Sequence, residues 1–286
     1  MIKQYKISVP KSTLNEIYKK VRNFPWTAAQ NMNGWEYGTN LNYLKSISKY
    51  WITKYDWKKF ENKINSLKNY RTKVEDINLH FIFEKSKNPN SRPLLLLHGW
   101  PGSITEFLDI IPRLAHPEKY GGKIEDGFDV IVPSLPGFGF SSQIKKALGP
   151  RKIGKILNKF MVKNLGYKNY FVQGGDWGAT IAGWIGLDSS KNCKGIHINC
   201  LPLRHPKGTK NIKERKWEKK FNFDQIMQEG YRTQQATKPQ SLGYGMMDSP
   251  VGIAGWIIEK MYSWSDLKNN DIESVYSKDT LLANIM

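Results

Sequence analysis

The sequence predicts an α/β fold built on a mostly parallel sheet with helices on both faces. Two observations carry this. Short apolar runs recur through the middle of the chain, "INLHFIFEK", "RPLLLLHGW", "GFDVIVPSLPGFG", "KNYFVQGGD" and "CKGIHINCLPL", with amphipathic stretches between them. Three of the runs end in glycine-rich turns, "HGWPGS" (98–103), "SLPGFGFS" (134–141) and "GGDWG" (174–178). In open parallel sheets ligands bind at that end of the strands.

The elements follow in order. Residues 1–72 form an N-terminal segment that is polar and helical, with Trp26, Trp35, Trp51 and Trp57 scattered through it. Within it, Leu41, Leu44, Ile47, Tyr50 and Trp51 fall at helical spacing, and the preceding "NFPWTAAQNMNGWEYGTN" is loop-like. The sheet domain spans 73–202, with helices expected over Thr105–Leu114, Pro150–Leu165 and Ala179–Leu187. A further helical region covers 203–275, in which Asp248 reads as the N-cap of "VGIAGWIIEK". Residues 276–286, "SKDTLLANIM", read as the start of a helix with Leu281, Leu282, Ile285 and Met286 on one face.

Composition narrows the class. Of 286 residues 40% are hydrophobic and 13% aromatic, enough for a large core. No run reaches the roughly 18 apolar residues of a spanning helix, and "MIKQYKISVP" is not of signal-peptide type. The chain is therefore expected to be soluble or peripheral. Its two cysteines, Cys193 and Cys200, are too few for a disulfide framework and read as small core residues. No zinc-ligand spacing occurs, and neither a metal nor a cofactor is called for. The net charge is +19. Nucleic acid or an anionic membrane are candidate partners for such a charge, but the lysines run from end to end, which fits a solubilising surface. The densest stretch, 204–220, has eight Lys/Arg against two Glu and contains Trp217, yet it carries no nucleic-acid-binding signature, and none is expected to bind.

Asp176 is the candidate catalytic residue. Gly174-x-Asp176-x-Gly178 has the pattern of a nucleophile elbow, the strained strand-to-helix turn that only small neighbours permit, with aspartate in place of the usual serine. A carboxylate at that tip is kept ionised by the helix dipole and needs no base before it attacks carbon. The backbone N–H groups of Trp100 and Trp177 would form an oxyanion hole for hydrolysis of the resulting ester, and a cis bond before Pro101 would aim that of Trp100. The competing reading of Asp176 is a helix N-cap.

The chain resembles the microsomal-type epoxide hydrolases, including the juvenile hormone epoxide hydrolases. The motifs that carry the resemblance are "YKISVPKSTLNEIYKKVRNFPW", "GWEYGTNLNYLKSISKYWITKYDW", "HGWPGS", "VPSLPGFGFS", "YFVQGGDWG", "GYRTQQATKPQSLGYGMMDSPVGIAGWIIEK" and "WSD", in family order over essentially the whole chain. The resemblance implies an α/β-hydrolase fold with a helical lid, Asp176 as nucleophile, Trp100 and Trp177 at the oxyanion hole, and Tyr231 as a lid tyrosine that hydrogen-bonds the epoxide oxygen. A phenol there would assist opening to the alkoxide; packing within the lid is the plainer role for Tyr231. The substrate implied is a small hydrophobic epoxide, converted to a diol, and the location the endoplasmic-reticulum membrane. Phe138 and Trp264 are candidate pocket residues, and Tyr244 reads as pocket or core.

The family's acid and histidine are not matched. The histidines are His80, His98, His116, His197 and His205. His98 belongs to "HGWP"; His197 and His205 are the only ones after the nucleophile and read as core or surface residues. The sequence is therefore expected to lack the last strands through C-terminal truncation and to be impaired or inactive. The alternatives are a non-catalytic binder of hydrophobic small molecules and a haloalkane dehalogenase-like hydrolase; "HGWP" and Tyr231 favour the epoxide.

Overall fold

The structure is a computed structural model that describes residues 1–30, 32, 34–200, 209 and 211–286, except the side chains of 224, 225 and 227. His205 and the opening of the basic stretch lie outside the described residues. The chain begins with β1 (Lys3–Gln4), α1 (Lys11–Arg22), α2 (Leu41–Thr53) and α3 (Trp57–Asn65). Next come β2 (Asn69–Val74), β3 (Ile77–Glu84), β4 (Arg92–Leu97), α4 (Ile111–Ala115), β5 (Phe128–Pro133), α5 (Pro150–Lys159), β6 (Tyr170–Gly174), α6 (Trp177–Asp188) and β7 (Cys193–Ile198). Helices α7 (Ile212–Gln228), α8 (Gly230–Thr237), α9 (Pro239–Asp248), α10 (Pro250–Ser263) and α11 (Lys278–Ile285) follow.

Seven strands form one sheet in the order β1-β2-β3-β5-β4-β6-β7. The pairings of β5, β4, β6 and β7 are parallel, and those that join β1, β2 and β3 to β5 are antiparallel. All five expected strands form. The reading from 73 onward misses β2, which begins at Asn69, and the two-residue β1. The continuous apolar run of β4 has a plain cause, since side chains alternate between two covered faces. Leu95 and Leu97 pack with Leu157 and Phe160 at α5 and with Ile181 and Ile185 of α6. Leu96 points the other way, to Ile104, Phe107 and Ile111 around α4 and to Ile64 of α3. Removing such a side chain from water is worth roughly 1.5–3 kcal/mol. The helix expected over 150–165 runs as α5 and then as a π turn over Phe160–Asn164, and that over 105–114 splits into a 3₁₀ turn, Ile104–Phe107, and α4.

The chain divides into two compact units, Met1–Val9 with Asp56–Pro202 and Met286, and Pro10–Tyr55 with Leu203–Ile285. Composition alone separates 1–72 as one segment. Contacts divide that segment, because Ile7 and Ile64 are buried in the core of the sheet unit, whereas α1 and α2 pack with the later helices. In that second unit Trp35 stacks on Tyr262 at 3.9 Å, Tyr50 donates to Asp279 at 2.8 Å, and Lys20 pairs with Asp248.

Three expectations about individual residues need correction. Asp248 ends α9 and does not cap α10; the cap is Ser249, whose Oγ accepts the Gly252 N–H at 3.0 Å. Tyr244 is 68% exposed, so it is no core residue. Cys193 is buried, but Cys200 lies exposed two residues beyond β7.

Candidate active site

The site starts where three backbones meet without room for a side chain. A Cβ on Gly174, the last residue of β6, would strike the carbonyl oxygen of Gly178, and one on Gly178 would strike that of Leu97 at the end of β4. The turn between these glycines holds Asp176 at φ 49° and ψ −123°, a conformation rarely taken by a residue with a side chain. Asp176 occupies the position of the α6 N-cap, yet its side chain makes no capping hydrogen bond. It turns to the neighbouring loop, where Oδ1 accepts the Trp100 N–H at 2.9 Å. The cap reading of Asp176 therefore does not hold. Trp177 is the first residue of α6, and backbone N–H groups at that end of a helix have no acceptor within it.

The loop that presents Trp100 is fixed from behind by His98. Its Nδ1 donates to the Gly99 carbonyl at 3.1 Å and its Nε2 accepts the Leu135 N–H at 3.0 Å, which ties "HGWP" to "SLPG". Burial holds this imidazole down at about 4, so it stays neutral and is no general base at physiological pH. Phe138 meets the His98 ring edge-on at 5.2 Å and packs against the core. The Trp100–Pro101 bond is cis.

A second carboxylate lies beside Asp176. Gly99 separates the two: a Cβ there would collide with Asp176 Oδ1, while the Gly99 N–H interacts with the carboxylate of Glu106. Gly102 leaves the space that Glu106 Oε1 fills. Burial, then the charge of Asp176, push Glu106 up to about 7, with the Gly99 N–H opposing the shift. Glu106 lines a groove of about 740 Å³ with Leu96, Gln173, His197 and Asn199, among others, so protein surrounds it while its own surface still faces the groove. His197 is exposed on β7, which is paired on one side only among the described residues. Sequence reasoning missed Glu106. Its signal was faint, an acid five residues after Pro101 in a stretch whose apolar neighbours Ile104, Phe107 and Leu108 must face the sheet.

Asp176, Trp100 and Trp177 are thus brought together on the sheet unit. Tyr231 belongs to the second unit, on α8, with Trp264 edge-on at 5.0 Å and the Nζ of the buried Lys260 at 5.1 Å from its ring centre. Among the described residues no group of three or more His, Cys, Asp and Glu side chains is placed to hold a metal ion.

A strand, a strained turn bearing the acid, a helix and a neighbouring oxyanion loop define an α/β-hydrolase-fold protein. A family model described as "alpha/beta hydrolase fold" matches residues 92–242, and one described as "Epoxide hydrolase N terminus" matches residues 2–107. The chain is 35% identical to epoxide hydrolase 1 of Oryctolagus cuniculus, covering 100% of this chain and 69% of the relative, and 31% identical to juvenile hormone epoxide hydrolase 1 of Ctenocephalides felis, covering 100% and 66%. The crystal structure of juvenile hormone epoxide hydrolase from the silkworm Bombyx mori superposes with a TM-score of 0.89 at 29% identity, covering 100% of this chain and 73% of that one. The chain belongs to the epoxide hydrolase family. It spans about two thirds of the length of the curated relatives it matches.

Two expectations follow from this geometry. Gly178→Ala places a methyl group against backbone that cannot yield, and is expected to cost about 1–3 kcal/mol in urea unfolding; an unchanged midpoint would show that the crossing is looser than described. The second concerns pH. His80 is buried, with Nδ1 on Ser134 Oγ at 2.9 Å and Nε2 on Asn69 Oδ1 at 3.0 Å, and burial with the charge of Arg71 holds it down at about 3. Below the unfolded value of 6.5 the unfolded chain takes up protons at His80 and His98 that the folded chain refuses. Each removes up to about 1.4 kcal/mol per pH unit as pH falls, and Glu106, shifted upward but damped by its exposure to solvent, offsets only part of this. Stability is therefore expected to decline from pH 7 to 5; a rise over that range would contradict neutral burial of both rings.

Proposed function

We propose that the chain opens small hydrophobic epoxides by attack of Asp176. The Oδ2 of the carboxylate bonds to an epoxide carbon, the carbon–oxygen bond of the ring breaks, and the alkoxide takes a proton. The resemblance gives that donation to Tyr231, and the assignment rests on the sequence match. In the ester Oδ1 is the carbonyl oxygen, and the negative charge that builds there when water attacks meets the N–H groups of Trp100 and Trp177. The observation that carries this reading is the orientation of Asp176, held out of its cap and against the Trp100 N–H at 2.9 Å.

His80 and His98 have both ring nitrogens engaged, and His116 lies between Glu84 and Glu118, each 4.0 Å away, so these three histidines are not placed to take a proton from water. A membrane-surface contact is a separate reading. On α7 the exposed Ile212, Trp217, Phe223 and Ile226 are interspersed with Lys213, Arg215, Lys216, Lys219 and Lys220, a basic surface suited to contact with anionic headgroups. No helix of the described residues is long and apolar enough to cross a membrane; the endoplasmic-reticulum location implied by the resemblance is part of this reading.

Incubation with styrene oxide is expected to add one epoxide mass to the protein, on the peptide containing Asp176, and Asp176→Asn to abolish the addition while the fold is kept. Binding without any adduct would favour a non-catalytic binder, and halide release from a chloroalkane a dehalogenase. For the membrane reading, co-sedimentation with phosphatidylserine vesicles is expected to exceed that with phosphatidylcholine and to weaken when Trp217 and Phe223 are both replaced by Ser. Equal sedimentation with both lipids would exclude it.

A further inference from the structure

Lys260 carries a buried charge in the second unit. It lies in the last turn of α10 and is 6% exposed. A lysine is rarely buried to that degree, because its charge is stripped of water. Its ammonium draws three helices together. Nζ pairs with Glu259 Oε2 at 2.6 Å on its own helix and donates to Gln228 Oε1 at 3.2 Å, the last residue of α7. It also lies over the ring of Tyr231 on α8, 5.1 Å from the ring centre, and 5.6 Å from that of Trp264, the residue after α10.

On the Tyr231 assignment above, we infer that Lys260 is a positioning residue for ring opening: its ammonium holds the Tyr231 phenol in place and favours release of the phenol proton to the epoxide oxygen. It acts through Tyr231 and not on the substrate.

Three features support this role. The first is orientation. A cation is drawn to the face of an aromatic ring, and more strongly where both are withdrawn from water. Trp264 meets the Tyr231 ring edge-on at 5.0 Å. Charge and packing therefore fix the ring together, and a fixed ring fixes the direction in which its hydroxyl points.

The second is charge. The neutral phenol gains only the attraction between ring and cation. As the phenol gives up its proton the ring becomes an anion beside an ammonium, and the interaction strengthens. Only such a difference between the two states assists the reaction. Glu259 supplies the countercharge that a buried ammonium needs, and its other oxygen, Oε1, accepts a hydrogen bond from Ser263 Oγ at 2.9 Å. The third is cost. A buried ion pair seldom adds stability over an apolar side chain of similar size, so stability alone does not account for an ammonium at this place.

The step balances. Asp176 Oδ2 bonds to the epoxide carbon, the carbon–oxygen bond of the ring breaks, and the alkoxide takes the proton from Tyr231 Oη. The phenolate left beside Lys260 recovers a proton from solvent. Lys260 keeps its own protons throughout.

The test follows the consumption of styrene oxide by an excess of the full chain, which reports ring opening alone. Lys260→Met, and Lys260→Gln as a second neutral variant, are expected to lower the limiting rate constant by about 3- to 30-fold, the size of one cation–ring interaction. The half-saturating concentration and the urea midpoint are expected to stay close to native. Lys260→Arg, which keeps a cation over the ring, is expected to recover most of the rate. In a Tyr231→Phe background Lys260→Met is expected to cause no further loss, because no phenol proton remains to be released. Opening at the native rate in both neutral variants overturns the inference, as does an equal loss in Lys260→Arg with a native urea midpoint. A loss that persists undiminished in the Tyr231→Phe background shows a general effect on the fold and overturns it too. Failure of the underlying readings looks different. Epoxide consumed as fast by Asp176→Asn removes the Asp176 reading, opening at the native rate in Tyr231→Phe removes the Tyr231 assignment, and Lys260 falls with either.

Discussion

The crossing of three backbones at Gly174, Gly178 and Leu97 is the constraint on which the site depends. With no Cβ at either glycine, the end of β6, the first turn of α6 and the end of β4 approach to contact. That approach leaves the turn only the residues 175–177 in which to reverse direction. The middle residue pays for the reversal with a positive φ. A side chain in this conformation cannot fold back to cap α6, so an acid placed there faces the loop after β4. The helix field and the Trp100 N–H then act on one and the same carboxylate.

Much of this was legible in the sequence because it rests on local rules. Glycines flanking an acid at the end of an apolar run specify the elbow, and continuous apolar strands specify a sheet covered on both faces. What was not legible depended on partners distant along the chain. Residues 10–55 have the same polar, helical composition as α3, yet Trp51 is buried among later helices while Ile64 is buried under the sheet. No spacing within residues 1–72 encodes that choice. Asp248 illustrates the reverse error. An acid and a serine precede Pro250, both are good caps, and the one nearer the helix takes the role while Asp248 pairs with Lys20. Glu106 was hidden for a third reason. On sequence it is an acid on a short amphipathic turn, and only the closeness of Gly99 to both carboxylates makes it part of the site.

The two buried histidines show how firmly the scaffold behind the site is set. His98 joins the loop after β4 to the loop after β5, and His80 joins β3 to Ser134 at the end of β5 and to Asn69 on β2. In His98 Nδ1 donates to a carbonyl and Nε2 accepts a backbone N–H, an arrangement available only to the neutral ring, and protonating it would leave a donor facing a donor in a dry interior. His80 is kept neutral by burial, then by the charge of Arg71. The loops that position Trp100 and Leu135 are therefore held by a ring whose two nitrogens are both engaged in that task.

The course of the proposed cycle around Asp176 follows from electrostatics. The N-terminus of α6 favours negative charge near Asp176 at every stage, on the free carboxylate and later on the oxyanion, so it does not distinguish the first half of the reaction from the second. A neighbouring carboxylate does distinguish them. While Asp176 is charged, Glu106 tends to hold its proton, and it does not add a second anion to repel the nucleophile into solvent. Once Asp176 is esterified that repulsion is gone and the same proton is held less tightly, so the charge that the chemistry consumes is also the one that sets the protonation of its neighbour.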